Sequence, residues 1–193
     1  MKAQIRNTLQ GSASLTEWLS RDENYIEKIH EAVLMITRCY EHGGKVLLCG
    51  NGGSAADAQH LAAELSGKFY FDRPPLNAEA LHCNTSFVTA VANDYSFDSI
   101  YERMVLAASK RNDILMAFST SGTSKNIIKA LEAAKNNKLH TIGFTGKLGG
   151  KMTTLCDIII NIPSDDTPRI QEAHIMTGHI ICEWVEKIIF NNE

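Results

Sequence analysis

His60 and Glu64 have side chains and a spacing that suit metal binding or proton transfer. They stand four residues apart in a segment of helical composition, so they lie on one face of a helix about a turn apart. A His/Glu pair at this spacing can form half of a metal site or an acid–base pair. It is also common as a solvated pair on a helix surface, and the spacing alone favours this plainer interpretation.

The last helical segment carries three further candidates, Gln171, His174 and His179. At about 100° per residue, Gln171 and His174 share a face, whereas His174 and His179 diverge by roughly 140°. The two histidines of this segment are therefore not expected to serve one site.

Two loops rich in glycine and serine have the chemistry to hold an anion. Residues 50–54 (GNGGS) let the backbone approach a ligand and point amide N–H groups at it, beside a helix N-terminus that favours negative charge. Residues 119–124 (STSGTS) add hydroxyl donors at a second helix start. Each loop alone is typical of an ordinary capped turn, but two of them in one sheet favour a phosphate site.

Nucleotide-binding motifs fit these loops poorly. No acidic residue ends a second strand about twenty residues after the first glycine loop, as a dinucleotide fingerprint requires. Gly146-Lys147 is followed by Leu148 rather than Ser or Thr, so this segment is not a P-loop.

The elements that must position these side chains alternate short apolar runs with helices. Such an alternation predicts a parallel sheet in an α/β sandwich, with ligands at the carboxyl ends of the strands. The predicted strands are residues 45–49, 114–118, 139–144 and 158–162, with a weaker candidate at 78–82. A helical extension covers about residues 3–42, and the last helix is expected to use Thr167 as its N-cap and to run to about Ile189.

Length and charge limit the class of protein. The chain has 193 residues, 19 Lys and Arg against 22 Asp and Glu, and neither a dense basic run nor a long apolar stretch. We therefore expect one domain over residues 1–193 in the cytoplasm, with no nucleic-acid or membrane partner. Its five cysteines lack CxxC spacing, so they predict neither a disulfide framework nor a cysteine zinc site.

Five motifs together resemble those of the phosphoheptose isomerases of the sugar-isomerase (SIS) fold. They are GNGGSAADAQHLAAEL, ANDYSFDSIYERMV, FSTSGTSKNIIKAL, TGKLGGKM and RIQEAHIMTGHI, and they cover nearly the whole chain in order. The resemblance implies a three-layer sandwich around a five-stranded parallel sheet. It also implies a homotetramer, to which the helical extension at residues 1–42 contributes and in which neighbouring chains complete the active sites. The implied reaction interconverts sedoheptulose 7-phosphate and D-glycero-D-manno-heptose 7-phosphate for heptose and lipopolysaccharide precursors.

The same resemblance assigns roles to individual residues. The residues that would hold the phosphate are Ser119, Thr120, Ser121 and Ser124. Those that would contact the sugar are Asn51, Gly52, Gly53, Asn93 and Asp94, together with Glu64 and Gln171. The residues that correspond to the zinc ligands are His60, Glu64, Gln171 and His179, with Glu64 and His179 also corresponding to the catalytic base and acid.

Helix geometry restricts how Gln171 and His179 could share a metal. Eight residues correspond to about 12 Å of helical rise. The two side chains would therefore have to reach toward each other or come from different chains.

The implied reaction moves a proton between adjacent carbons through a cis-enediol. A carboxylate such as Glu64 suits proton abstraction, and His179 or zinc suits the two oxygens. Zinc ligation would lower the basicity of Glu64, so its two roles compete.

Two alternatives stay open at this point. The chain could be a non-catalytic SIS protein that binds a replication initiator as a tetramer, although such a relative departs from this chain at Glu64. It could also isomerise another sugar phosphate, because residues 69–75 and 81–86 are less typical of the family.

Overall fold

A computed structural model describes residues 1–190 of the chain. Its five strands form one parallel sheet in the order β2-β1-β3-β4-β5. The strands are β1 (Val46–Gly50), β2 (Ala78–Ala80), β3 (Ile114–Ser119), β4 (His140–Thr145) and β5 (Ile158–Asn161). The helices are α1 (Lys2–Leu19), α2 (Glu23–Glu41), α3 (Gly53–Ser66), α4 (Thr85–Asp94), α5 (Ile100–Ala108), α6 (Lys125–Asn136) and α7 (Thr167–Phe190), with short 3-10 turns at Phe97–Ser99 and Gly150–Thr154.

Two apolar cores cover the two faces of the sheet. Along β1, Val46 and Leu48 point into a core shared with α2, α3 and α7, whereas Leu47 and Cys49 point into a core shared with α4, α5 and α6. Successive side chains of a strand face opposite sides, so a strand buried on both faces must be apolar throughout. The predicted α/β sandwich with a five-stranded parallel sheet is confirmed.

The helical extension consists of two helices with a break between them. Asp22 ends the break and caps α2, because its carboxylate accepts hydrogen bonds from the backbone N–H groups of Asn24 and Tyr25. At the other end of the chain, Thr167 is already the first helical residue rather than the predicted cap. The predicted single domain over 1–193 stays a prediction, and its last three residues lie outside the described ones.

The parallel register brings the candidate loops to one edge of the sheet. Gly50 at the end of β1 is paired with Phe118 next to the end of β3, so residues 51–52 and 120–124 leave the sheet side by side. Within residues 1–190, no helix is long and apolar enough to cross a membrane.

Candidate active site

The first loop makes a tight turn from β1 into α3. Gly52, the N-cap of α3, has φ of 58°, a conformation that favours glycine. A Cβ added to Gly50 would lie 2.3 Å from the backbone oxygen of Ser54, so this close approach also requires glycine. Gly52 and Gly53 are exposed at the start of α3. The turn therefore presents bare backbone to any ligand that lies at this edge of the sheet.

The second loop gathers hydroxyl groups at the start of α6. The Ser119 Oγ lies 3.1 Å from the Ser124 Oγ and 3.4 Å from the Ser121 Oγ. Ser124 occupies the N-cap position, but its side chain makes no capping hydrogen bond to α6. The hydroxyls thus face one another, and the positive end of the α6 dipole lies beside them.

A third loop supports the second by backbone contact. Gly122 has φ of 65°, and a Cβ at this position would lie 2.0 Å from the Gly149 carbonyl oxygen. A Cβ on Gly150 would in turn lie 2.5 Å from the Gly122 oxygen. The Met152 N–H donates to the same oxygen at 3.3 Å. The TGKLGG segment therefore fixes the shape of the hydroxyl loop.

A reciprocal amide pair joins the first and second loops. The Asn51 Nδ2 donates to the Asn126 Oδ1 at 2.9 Å, and the Asn126 Nδ2 donates to the Asn51 Oδ1 at 2.8 Å. Asn126 is 3% exposed. Asn126 is not among the site residues predicted from the sequence, and the signal that points to it is an amide in the first turn of the helix after the serine loop.

His60, Glu64 and His179 form a cluster that we call the His/Glu cluster. The His60 Nε2 lies 2.9 Å from the His179 Nε2 and 3.2 Å from a Glu64 carboxylate oxygen. One ligand atom from each of the three residues lies within 4.8 Å of the others. Burial lowers the pKa of His179, and the neighbouring His60 lowers it further, whereas the Glu64 carboxylate opposes the shift. The spacing of His60 and Glu64 alone favours a solvated surface pair, but in the fold His179 of α7 joins them as a third group.

Close packing of α3 on α7 makes this cluster possible. A Cβ on Gly178 would lie 2.4 Å from the Leu61 Cδ1, so a larger residue would displace the buried Leu61 side chain or push the two helices apart. Two imidazoles and a carboxylate are ligands that zinc commonly takes in proteins. The donor set of the His/Glu cluster therefore fits zinc.

Three predicted site residues, Gln171, Asn93 and Asp94, lie outside the His/Glu cluster. The Gln171 amide packs against Gly53, where an added Cβ would lie 2.4 Å from its Nε2. Asn93 and Asp94 are exposed on the last turn of α4, and the Asn93 amide donates to the Asp94 carboxylate at 2.9 Å. One chain thus brings together three of the four residues predicted to bind zinc, with Gln171 about two helical turns before His179 on α7.

The chain is similar to known proteins over its full length. The SIS domain family matches residues 12–146. A phosphoheptose isomerase of Clostridium acetobutylicum is 49% identical over 193 residues, which is 100% of this chain and 98% of that protein.

Solved structures give the same result. A phosphoheptose isomerase from Neisseria gonorrhoeae is 36% identical with a TM-score of 0.90, over 96% of this chain and 98% of that one. A phosphoheptose isomerase from Francisella tularensis is 34% identical with a TM-score of 0.91, over 96% of this chain and 97% of that one. The alignments of sequence and fold span nearly every residue of both proteins in each comparison, and the chain belongs to the phosphoheptose isomerase family of SIS domain proteins.

Proposed function

We propose that the chain converts sedoheptulose 7-phosphate to D-glycero-D-manno-heptose 7-phosphate for the synthesis of heptose precursors. The observation that carries this proposal is the His/Glu cluster, in which His60 and Glu64 of α3, the helix that follows the first anion loop, meet His179 of α7. The relatives named above are phosphoheptose isomerases, and their alignments cover 96% or more of this chain. The retained Glu64 carboxylate favours catalysis over a purely binding SIS protein.

The phosphate would bind at the hydroxyl loop and the start of α6. The Ser121 and Ser124 hydroxyl groups lie within 3.4 Å of the Ser119 hydroxyl, and the α6 dipole favours an anion beside these three groups. Thr120 lies in the same loop, between β3 and α6. Because the phosphate is remote from the reacting carbons, its binding energy holds the sugar in the reactive orientation.

The reaction itself needs two proton shifts, one between neighbouring carbons and one between the oxygens that they carry. The Glu64 carboxylate would take the proton from C1 of the ketose, which gives a cis-enediol, and return it to C2. The His179 imidazole would move the accompanying proton between the two oxygens. The 3.2 Å contact from His60 to Glu64 orients the carboxylate for this role. Substrate and product are isomers, so no oxidant or second substrate is required.

Zinc is the cofactor we propose, held by His60, Glu64 and His179, with Gln171 as the fourth ligand. When bound, zinc would polarise the sugar oxygens as a Lewis acid. Ligation of zinc and proton abstraction make competing demands on Glu64, since a metal-bound carboxylate is a weaker base.

A homotetramer is the assembly we propose. The described residues leave an apolar groove between α1, α2 and α7, to which Ile26, Trp184 and Ile188 contribute side chains that are 41%, 50% and 39% exposed. Patches of this kind commonly mark protein interfaces. The cytoplasmic location and the lack of a nucleic-acid partner stay predictions.

Replacing Glu64 with glutamine tests the catalytic proposal. Glutamine keeps the size of the side chain but cannot take a proton, so kcat on sedoheptulose 7-phosphate should fall by about 100-fold or more, with KM changed much less. Glu132→Gln, an exposed change on α6, serves as the control. Undiminished turnover in Glu64→Gln would exclude the proposed base.

Metal removal tests the cofactor separately. Protein purified without chelators should contain about one zinc per chain, and dialysis against EDTA should abolish turnover until zinc is restored. Metal-free protein that retains full activity after EDTA would show the zinc proposal to be wrong without affecting the role of Glu64.

A further inference from the structure

Arg73 and Glu186 form a buried ion pair outside the His/Glu cluster. The Arg73 Nε donates to the Glu186 Oε1 at 2.8 Å, and the two side chains are 2% and 1% exposed. Glu186 follows His179 on α7 by seven residues, which is about two turns along nearly the same face of the helix. The pair and the cluster therefore both lie where α7 meets the α3 region.

The other Arg73 donors hold the end of α3. The Arg73 Nη2 donates to the Glu64 carbonyl oxygen at 2.9 Å, and the Nη1 donates to the Leu65 and Gly67 carbonyl oxygens at 2.7 and 3.0 Å. The last carbonyls of a helix have no partner within the helix, and the guanidinium supplies one. Glu64 is thus held at its backbone by Arg73 while its carboxylate belongs to the His/Glu cluster.

Glu186 fastens the segment after α3 to α7. Its carboxylate accepts hydrogen bonds from the backbone N–H groups of Phe69, Tyr70 and Phe71 at 2.9, 2.6 and 3.2 Å. Burial alone would raise the pKa of Glu186, but these bonds and the one from Arg73 outweigh it and lower the pKa. The Phe69 ring also lies 5.7 Å from the His179 ring, so this segment touches the cluster itself.

A buried ion pair is an expensive way to add stability. Removing two charges from water carries a large desolvation penalty, and well-packed apolar residues of similar volume are often as stabilising. What this pair adds is directional bonding between two helices that must lie in one relative position. The close contact of Gly178 with Leu61 sets the distance between α3 and α7, but an apolar contact does not fix their sliding along each other.

We infer that Arg73 and Glu186 are positioning residues that hold α3 and α7 in the register at which His60 and Glu64 meet His179. This inference rests on the proposed function, because the His/Glu cluster is taken as the catalytic and zinc-binding centre.

The test compares Arg73→Lys with Val105→Ala in the full chain. Lysine keeps the positive charge beside Glu186 but lacks the planar set of donors that reaches the Glu64 carbonyl. Val105 is fully buried in the core on the other face of the sheet, so Val105→Ala lowers stability without touching α3 or α7. The measurements are kcat and KM on sedoheptulose 7-phosphate, the zinc Kd of the apo-protein, and the urea midpoint.

At a temperature where all three proteins are folded, Arg73→Lys should lower kcat by about tenfold or more and weaken zinc binding by about 10- to 100-fold. Its KM should change by less than about threefold, because the phosphate loop is untouched. Val105→Ala should keep kcat and zinc Kd within about twofold of wild type. Unchanged kcat and Kd in Arg73→Lys, or equal losses in Val105→Ala, would overturn the inference.

Glu186→Gln replaces Arg73→Lys if the lysine variant does not fold. Its amide nitrogen cannot accept the bonds from Tyr70 and Phe71, so the same losses are expected. If the wild-type chain binds no zinc, the cofactor proposal fails while the kcat comparison still decides this inference. If the wild-type chain does not turn over the sugar, the zinc comparison decides it.

Discussion

Among single residues, the two histidines of α7 show how position decides the role of a side chain. His174 is fully buried, with its Nε2 3.2 Å from the Thr145 carbonyl oxygen and its ring edge-on to Phe118 and Phe144. His179 is only partly buried and faces the His60 ring on α3. A turn of roughly 140° between them directs one side chain into the core and the other into the candidate site.

His174 should make the stability of the protein depend on pH. Burial lowers its pKa to about 4, although the hydrogen bond to Thr145 opposes the shift. The unfolded chain takes up this proton near pH 6.5. The contribution of the neutral His174 to the free energy of unfolding is therefore complete above that pH and is lost as the pH falls toward 4. At pH 5 the loss attributable to His174 should be about 2 kcal/mol.

Urea unfolding at pH 7.5 and pH 5, at one protein concentration, measures this effect. The His174→Gln variant keeps a donor for the Thr145 carbonyl but does not titrate, and every other ionisable group is shared with wild type. Between pH 7.5 and pH 5, the free energy of unfolding should therefore fall by about 2 kcal/mol less in the variant than in wild type. Equal pH dependence in the two proteins would contradict the assignment of a buried neutral imidazole.

Among the structural elements, the strands and loops that the sequence predicts are those marked by a pattern within a few neighbouring residues. Uniformly apolar runs predict buried parallel strands, and even the short edge strand β2 lies within its predicted range. The glycine and serine loops are visible because their conformations demand particular residues, as at Gly52 and Gly122.

What the sequence leaves out depends on contacts between distant segments. Arg73 and Glu186 are 113 residues apart, and Asn51 and Asn126 are 75 residues apart. No local sequence pattern therefore predicts that the members of either pair are in contact. The position of Gln171 beside Gly53 likewise follows only from the packing of α7 on α3. The spacing of His60 and Glu64 shows a shared face, but only the tertiary fold adds His179.

The Asn51–Asn126 pair should couple the two anion loops energetically. Removing the Asn51 amide leaves the nearly buried Asn126 Nδ2 without its acceptor, although the Asn126 Oδ1 keeps the Ile127 N–H, and an unpaired buried donor costs about 1–3 kcal/mol. Asn51→Ala and Asn126→Ala together should therefore cost at least about 1 kcal/mol less than the sum of the single changes. Each single change should also lower kcat/KM for the sugar phosphate, because both loops lose their relative position.

A double-mutant cycle of urea unfolding and steady-state kinetics checks this coupling. Strictly additive losses would show that the two loops are held independently, with the reciprocal amide bonds contributing nothing specific.

For the whole molecule, the functional unit is proposed to be larger than one chain. The apolar groove between α1, α2 and α7 exposes Trp184 and Ile188 on the same helix that carries His179. Covering this groove would therefore bring a neighbouring chain against the helix of the candidate site. Gln171 gives an independent reason for such an arrangement, since it lies about 12 Å of helical rise from His179 within one chain.

Mixed oligomers should show whether one site draws on two chains. Gln171→Ala and Glu64→Gln protomers should each be nearly inactive alone. If a site takes Gln171 from one chain and Glu64 from another, some sites in a mixed assembly contain both intact residues, because each parent supplies what the other lacks. Random equal mixing should restore about a quarter of the wild-type activity per site.

Co-expression of the two variants with different tags, followed by purification on both tags, isolates the mixed assemblies for assay. Recovery of activity would place Gln171 across a chain boundary from Glu64. A mixture as inactive as its parents would instead require Gln171 and Glu64 of the same chain to act together. In that case α7 would have to bend or rotate so that the Gln171 amide left Gly53 and reached the His/Glu cluster, because the continuous helix places Gln171 about two turns before His179.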